Sequence, residues 1–288
     1  MSYAGSGSPG PFISLAAFLE PAFHFRFAAL VVTLLVFWGL ELVLARRARP
    51  AGRWAERARH LALLVINVVV LAFAAPLALG VIEPLLDKLV APSPAPFAEM
   101  PAFPRIVLSF VTLDLALWLF HRASHAIPTL WRLHRVHHSD EALDVTTSLR
   151  FHPADLLGGL LVVSIVSSCS GIDPETLLLF QLFSAVVSQA AHASLRLPRS
   201  LERALALLFV TPGSHAVHHS AGSESRSNYG ASLSLWDHLF RTDREFEPVK
   251  FGSAAIDGDR PGLLGLLFLP LDELPEGRVR LGLREEEA

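Results

Sequence analysis

Two stretches of the chain repeat one arrangement of imidazoles: LHRVHHSDE at residues 133–141 and GSHAVHHSA at residues 213–221 both contain H-x-x-H-H. On a helix His134 with His138, and His215 with His219, are i and i+4 and share a face, while His137 and His218 stand beside them at i+3. Each box can then offer one imidazole to each of two neighbouring metals, with the third shared between them. His121 and His125 form another i, i+4 pair, and His192 follows an apolar run. These nine imidazoles suffice for two metals at four or five ligands each, with positions left for dioxygen or water; a structural zinc site would take four ligands and close. Neutral nitrogen ligands suit Fe, Zn, Cu and Ni alike, so ligand type does not name the metal.

Of 13 histidines, ten lie between residues 121 and 219, the tenth being His152. His152 precedes Pro153, which removes it from a regular helix interior, and it is expected beside the metals or facing a substrate. The isolated His24, His60 and His238 read as surface or interfacial residues. The lone cysteine, Cys169, excludes a disulfide within the chain and any Cys-rich metal knuckle, so metal chemistry falls to histidine.

The elements that must position these side chains are apolar helices. Hydrophobic residues make up 52% of the 288, and the mean hydropathy is +0.44, as for a chain with several membrane spans. Residues 27–45 carry only Glu41 and residues 61–82 no charge at all, with Pro76 at most a kink; both are long enough to span ~30 Å of hydrocarbon. A third span is expected at 106–120, interrupted only by Asp114 and running into His121. Residues 156–172 and 176–191, joined by GIDPE, read as a tight helical hairpin, either two full spans or a re-entrant pair. Asp114 lies two helical turns before His121, where it could accept the outer N–H of a metal-bound imidazole and fix its tautomer. The competing reading is a polar contact between spans.

Between the first two spans lie Arg46, Arg47, Arg49, Arg53, Arg57 and Arg59, whereas the next loop offers only Lys88 before Arg105, so the Arg-rich loop is expected in the cytoplasm. Counting crossings then puts every clustered histidine on the cytoplasmic side. The net charge of −3, with the arginines set in loops beside apolar runs, implies no nucleic-acid partner. The start, MSYAGSGSPGP, lacks the basic region and apolar core of a cleaved signal and reads as a flexible extension; LREEEA reads as a solvated tail.

Taken together, DLALWLFHRASH, LHRVHHSD, RFHP, SHAVHHS and NYGASLSLWDHLFRT resemble the fatty acid hydroxylase superfamily, which includes sterol desaturases and sterol C4-methyl oxidases, over about residues 105–243. The resemblance implies an integral membrane di-iron oxygenase that hydroxylates or desaturates a lipid C–H bond, such as one of a sterol or fatty acyl chain, with dioxygen and supplied electrons. Carried over by position, the ligands are His121, His125, His134, His137, His138, His192, His215, His218 and His219, to two iron ions, with zinc an alternative occupant on purification. Asn228, Tyr229, Trp236 and Asp237 match the family's trailing segment and are expected to brace the last box, while Arg241 stands where many relatives have glycine. No nicotinamide fingerprint or fused cytochrome is visible, so electrons would come from a separate ferredoxin or reductase.

The expected fold is an all-α membrane bundle of about four spans, the hairpin included, under a cytoplasmic histidine-rich helical cap. Its divisions are an extension at 1–25, two spans and loops at 26–104, a catalytic region at 105–245, and a C-terminal cytoplasmic segment with acidic tail at 246–288. Two rivals remain. A membrane zinc hydrolase would carry a carboxylate base within H-E-x-x-H, which the sequence lacks. A metal transporter would place its polar ligands at mid-span.

Overall fold

The computed structural model describes residues 21–45, 52–89, 96–221, 226–244 and 261–272. These residues are helical and form no strand; two isolated bridges, Ala45 with Leu195 and Phe209 with Leu233, tie segments together. Helices α1 (Pro21–Leu44), α2 (Arg53–Leu89), α3 (Ala102–Ala126) and α5 (Pro153–Ser170) are each long and apolar enough, over most or all of their length, to cross a membrane. Their outward faces carry bare Val43, Phe73 and Leu77, as expected where lipid is the solvent. Pro76 and Pro84 both lie inside α2, whose helix runs on through them.

The loops around the site are cut by proline. Ile127 is extended, as the residue before a proline must be, so α3 stops there and α4 (Pro128–His138) sets off in a new direction. Pro153 and Pro174 start α5 and α6 (Pro174–His192), where a first-turn N–H is unpaired in any case. Gly171, at φ 69°, ends α5 in the left-handed conformation, and Asp173 then caps α6 through Thr176 N at 2.9 Å. A tight turn therefore joins α5 to α6, but the two helices part beyond it around a cavity and do not pack along one another as the expected tight hairpin. Its second arm, interrupted by Gln181, Ser184, Ser188 and Gln189, falls short of the apolarity of a span.

After α6 come two short helices, α7 (Arg199–Ala206) and α8 (Pro212–His218), the latter opened by a capping box of Thr211 and Ser214. Helices α9 (Leu235–Phe240) and α10 (Leu263–Phe268) complete the cap. The apolar core divides in keeping with this layout. Leu113, Val163, Ile172, Leu177 and Phe180 join α3 to the hairpin, Leu63, Val136, Leu266 and Leu269 join α2 and α4 to α10, and Trp118, Tyr229 and Trp236 pack beneath the cap.

The arginines counted as a loop behave differently. Arg53 and Arg57 lie on the first turns of α2 and are buried, while Arg46, Arg47 and Arg49 fall outside the described residues. Arg53 donates to Asp140 at 2.6 and 2.9 Å and to Asp144 at 2.7 Å, and Arg57 donates to Asp144 at 2.9 Å. Glu41 of α1, the one acid in its span, accepts from Val145 N at 2.7 Å and Ser194 N at 2.8 Å. His60 is no surface residue: it is fully buried, donating from Nδ1 to Thr146 Oγ1 at 2.9 Å and accepting from Arg150 at 3.1 Å. Of the extension expected over 1–25, residues 1–20 lie outside the described residues while 21–25 are already helical in α1; the tail over 273–288 and the side chain of His24 also lie outside the described residues.

Candidate metal centre

The break at Ile127 folds α4 back on the end of α3, and α8 docks beside both, so that three helix ends meet. There the ring nitrogens of His121, His125, His134, His138 and His218 converge, all lying within 4.8 Å of one another. A second group at the same spacing, His137, His192, His215 and His219, draws on α4, α6, α8 and the turn that follows α8. Both H-x-x-H-H boxes are split. The first gives its i and i+4 histidines to the group of five and its i+3 to the group of four; the second does the reverse. No histidine stands in both groups, which replaces the expected sharing of a third imidazole by a two-to-one division. The groups touch: His138 stacks on His219 with ring centres 4.4 Å apart.

Ring orientation is set from behind. Nδ1 of His121 donates to the Tyr229 carbonyl at 2.8 Å, that of His218 to Ser227 at 2.8 Å, that of His192 to Ser188 at 2.7 Å and that of His137 to Arg150 at 3.2 Å. His134 Nδ1 pairs with the Asp155 carboxylate at 2.9 Å. A neutral ring that donates from Nδ1 keeps its lone pair on Nε2, the tautomer a metal requires. In the group of five, every Nε2 is buried without a hydrogen-bond partner. In the group of four, Nε2 of His137 and His192 lie 3.1 Å apart, those of His192 and His215 3.0 Å, and those of His215 and His219 3.1 Å.

For His137 and His192, whose protons are on Nδ1, that contact sets two lone pairs face to face, which is repulsive unless a cation lies among them. Ligands at 2.0–2.1 Å from a metal stand about 2.9 Å apart at right angles and about 3.4 Å apart at tetrahedral angles, which brackets these separations. The donor set therefore fits two ions. Burial, with the neighbouring imidazoles adding to it, holds His137, His138, His215 and His219 well below the ordinary histidine range, and burial takes His218 down to about 3. At neutral pH these rings are uncharged donors.

The remaining site candidates sit behind this shell. Asp237 accepts from Tyr229 N at 2.9 Å, Gly230 N at 2.7 Å and Trp118 Nε1 at 3.0 Å, and so fixes the carbonyl that holds His121. Gly230 is required there, because a Cβ would come within 2.7 Å of Val210 and of the Leu233 carbonyl. Asn228, left-handed at φ 52°, donates to the Ser214 carbonyl at 2.9 Å, beside His215. Asp114 does not hold an imidazole. Its oxygens accept from Ser232 N at 3.0 Å, Leu233 N at 3.2 Å and Trp236 Nε1 at 2.9 Å, because the trailing segment folds back over α3 and reaches Asp114 first. His152 likewise faces neither metals nor pocket: its Nδ1 accepts from Ala154 N at 3.1 Å as the cap of α5, and its Nε2 lies 3.3 Å from the Leu267 carbonyl. His238 is exposed, as expected, against the Ala206 carbonyl.

Sequence reasoning missed Asp155 and Arg150. Asp155 is the only acid in the otherwise uncharged α5, and its place in the first turn was the available signal. Arg150 serves through its backbone carbonyl, which no side-chain pattern discloses. Its guanidinium is fully enclosed, donating to Glu56 at 3.1 Å, to His60 and to Ser139, and so welds the end of α4 and the segment behind His137 to α2.

A cavity of about 330 Å³ opens from the histidines between α3, α5 and α6. His121, His134, His137, His192 and His215 form its polar end; Leu117, Phe120, Leu156, Leu160, Val163 and Phe180 form its apolar walls. Phe120 rests on bare backbone, since a Cβ at Gly158 would meet its ring at 2.8 Å.

Residues 106–242 match a family model described as fatty acid hydroxylase. An ornithine lipid hydroxylase of Rhizobium tropici is 32% identical over 139 residues, 48% of this chain and 41% of the relative. An alkylglycerol monooxygenase of Caenorhabditis elegans is 32% identical over 143 residues, 48% of this chain and 27% of the relative. A very-long-chain aldehyde decarbonylase of Oryza sativa subsp. indica is 26% identical over 146 residues, 51% of this chain and 54% of the relative. The chain thus spans between about a quarter and about half of the lengths of these relatives. No solved structure matches it.

Proposed function

Residues 106–242 belong to the fatty acid hydroxylase superfamily, and from that premise we propose that the chain is a membrane-bound, histidine-ligated di-iron oxygenase that hydroxylates or desaturates a C–H bond of a lipid. The observation that carries this reading is the joining of two bare imidazole groups to one end of an apolar cavity between bundle helices. His121, His125, His134, His138 and His218 would hold one ion, and His137, His192, His215 and His219 the other. Two such ions, when bound, supply the activation of dioxygen by electrons that an unactivated C–H bond requires.

The chain's own residues do the rest. The apolar walls on α3 and α5 bind and orient a hydrocarbon segment and exclude water from the polar end. The backbone carbonyls and Asp155 keep protons on Nδ1 of His121, His134, His137, His192 and His218, so that Nε2 of these five stays available. We place the histidine cap on the cytoplasmic side, because the basic start of α2 reaches Asp140, two residues after the first box, and so shares its end of the bundle. Electrons then arrive from a separate soluble donor, a ferredoxin or reductase.

The test is lipid profiling of aerobic cells expressing the wild type or His137→Ala, with metal analysis and oxygen uptake on the purified proteins. The expected result is about two irons per chain and a new oxidised or desaturated lipid in the wild type alone. Identical lipids in both strains reject the oxygenase. Zinc with hydrolysis that needs no dioxygen would favour the hydrolase, and metal movement without turnover the transporter.

A further inference from the structure

One wall of the cavity carries a polar stripe. Gln181, Ser184, Ser188 and His192 follow one another along α6 at steps of three and four and all line the cavity. Two are engaged within the protein: Ser184 pairs with the Ser232 hydroxyl at 3.1 Å, and His192 donates to the Ser188 carbonyl. Gln189, on another face of the same helix, donates to the Leu30 carbonyl at 3.1 Å from a buried amide whose Oε1 has no partner, and it lines no part of the cavity. Gln181 differs. It is half-buried, and its amide meets no hydrogen-bond partner among the described residues but opens on the cavity beside Phe180, Val163 and Leu160.

We propose that Gln181 receives an uncharged hydroxyl or carbonyl group of the substrate, and that the carbon presented to the histidines is selected by its distance from that group. The proposal rests on the lipid oxygenase reading and names a substrate class for it. Gln181 precedes His192 by 11 residues, about 16 Å along a helix. Bonds of about 1.5 Å at about 111° advance a saturated chain by about 1.25 Å each, so the polar group stands about 13 bonds from the reacting carbon. An amide both donates and accepts, which suits a neutral group, and it carries no charge to neutralise an ionic one.

The test is binding to the full chain in nanodiscs, by calorimetry, of 1-tridecanol against tridecane and of cholestanol against cholestane, each corrected for empty nanodiscs. The wild type is expected to prefer the alcohol of at least one pair about tenfold, as one buried hydrogen bond would give. Preference within the first pair assigns the hydroxyl to a chain, and within the second to a flat polycycle. Gln181→Leu is expected to abolish the preference while retaining the hydrocarbon, and Gln189→Leu to leave it unchanged. No preference in the wild type for either pair, or a preference that survives Gln181→Leu, overturns the proposal. Should the leucine variant misfold, Gln181→Met takes its place, and the wild-type arms alone still decide. Because binding needs no turnover, a preference lost in Gln181→Leu alongside absent oxygen uptake would reject the oxygenase and keep the anchor.

Discussion

The histidines stand between two unlike walls. Toward α1 and α2 the wall is made of charge: Arg53, Arg57 and Arg150 interlock with Asp140, Asp144, Glu56 and Glu41 in a buried network. Toward α3, α5 and α6 it is hydrocarbon around an opening. Buried ion pairs demand fixed geometry, because each leaves a costly charge if its partner moves, whereas apolar contacts tolerate rearrangement. The polar wall can therefore hold imidazoles rigidly in place while the greasy wall admits and releases a ligand. The contrast separates support from access, and each wall can be attacked alone.

The largest effect is expected from breaking the polar wall. Arg53→Leu leaves Asp140 and Asp144 short of the guanidinium that pairs them, at a cost of about 3–5 kcal/mol. A fall in melting temperature in detergent, with loss of bound metal, is the measurement; an unchanged melt would mean that the network bears no weight. Burial alone would raise the Asp140 carboxyl, but the hydrogen bonds and charge of Arg53 overcome it and hold it well below the usual carboxylate range.

Acid acts on the shell between the walls. An unfolded histidine titrates near 6.5, whereas His218 in the fold does so at about 3. Between those values the unfolded chain binds a proton that the folded chain does not, so the stability of the metal-free protein falls as pH falls through that window and levels off below it. Each depressed imidazole contributes up to about 1.4 kcal/mol per pH unit. Melts of chelated protein from pH 7 to pH 5 should show a progressive decline; a flat profile would contradict buried neutral rings.

Asp155→Asn touches one ligand's orientation. It removes the carboxylate behind His134 and should weaken metal retention about 10- to 100-fold in chelator competition, with little change in helix content. On the apolar side, Gly158→Ala drives a methyl into the Phe120 ring and should shorten the cavity at a stability cost of about 1 kcal/mol. Metal content should stay intact while long hydrocarbon ligands bind less well, the reverse of the Asp155 result. An effect of opposite sign lies outside both walls. Arg241 closes α9 at φ 54°, a conformation that costs a side chain about 1–2 kcal/mol, so Arg241→Gly should raise the melting temperature by a few degrees.

Spacing made the nine histidines legible, since i, i+3 and i+4 on short helices leave few places for the rings to go. It did not show which ring joins which group, because that depends on how α4 and α8 face each other. Asp114 was recognised as a polar residue with a purpose, but its partner is chosen by the trailing segment 118 residues further on, beyond any local pattern. His60 and Arg53 were misjudged for a related reason: an isolated polar residue beside an apolar run looks solvated until a distant loop covers it.

Glu41 carries a consequence of its own. From the first helix it secures the amides of Val145 and Ser194, which border the first box and His192. An excised 106–242 fragment would lose both that carboxylate and the arginines that neutralise Asp140 and Asp144, so the stretch recognised by homology is smaller than the unit that folds. Attempts to transplant the histidine centre into another scaffold must bring the two leading helices along as its keystone.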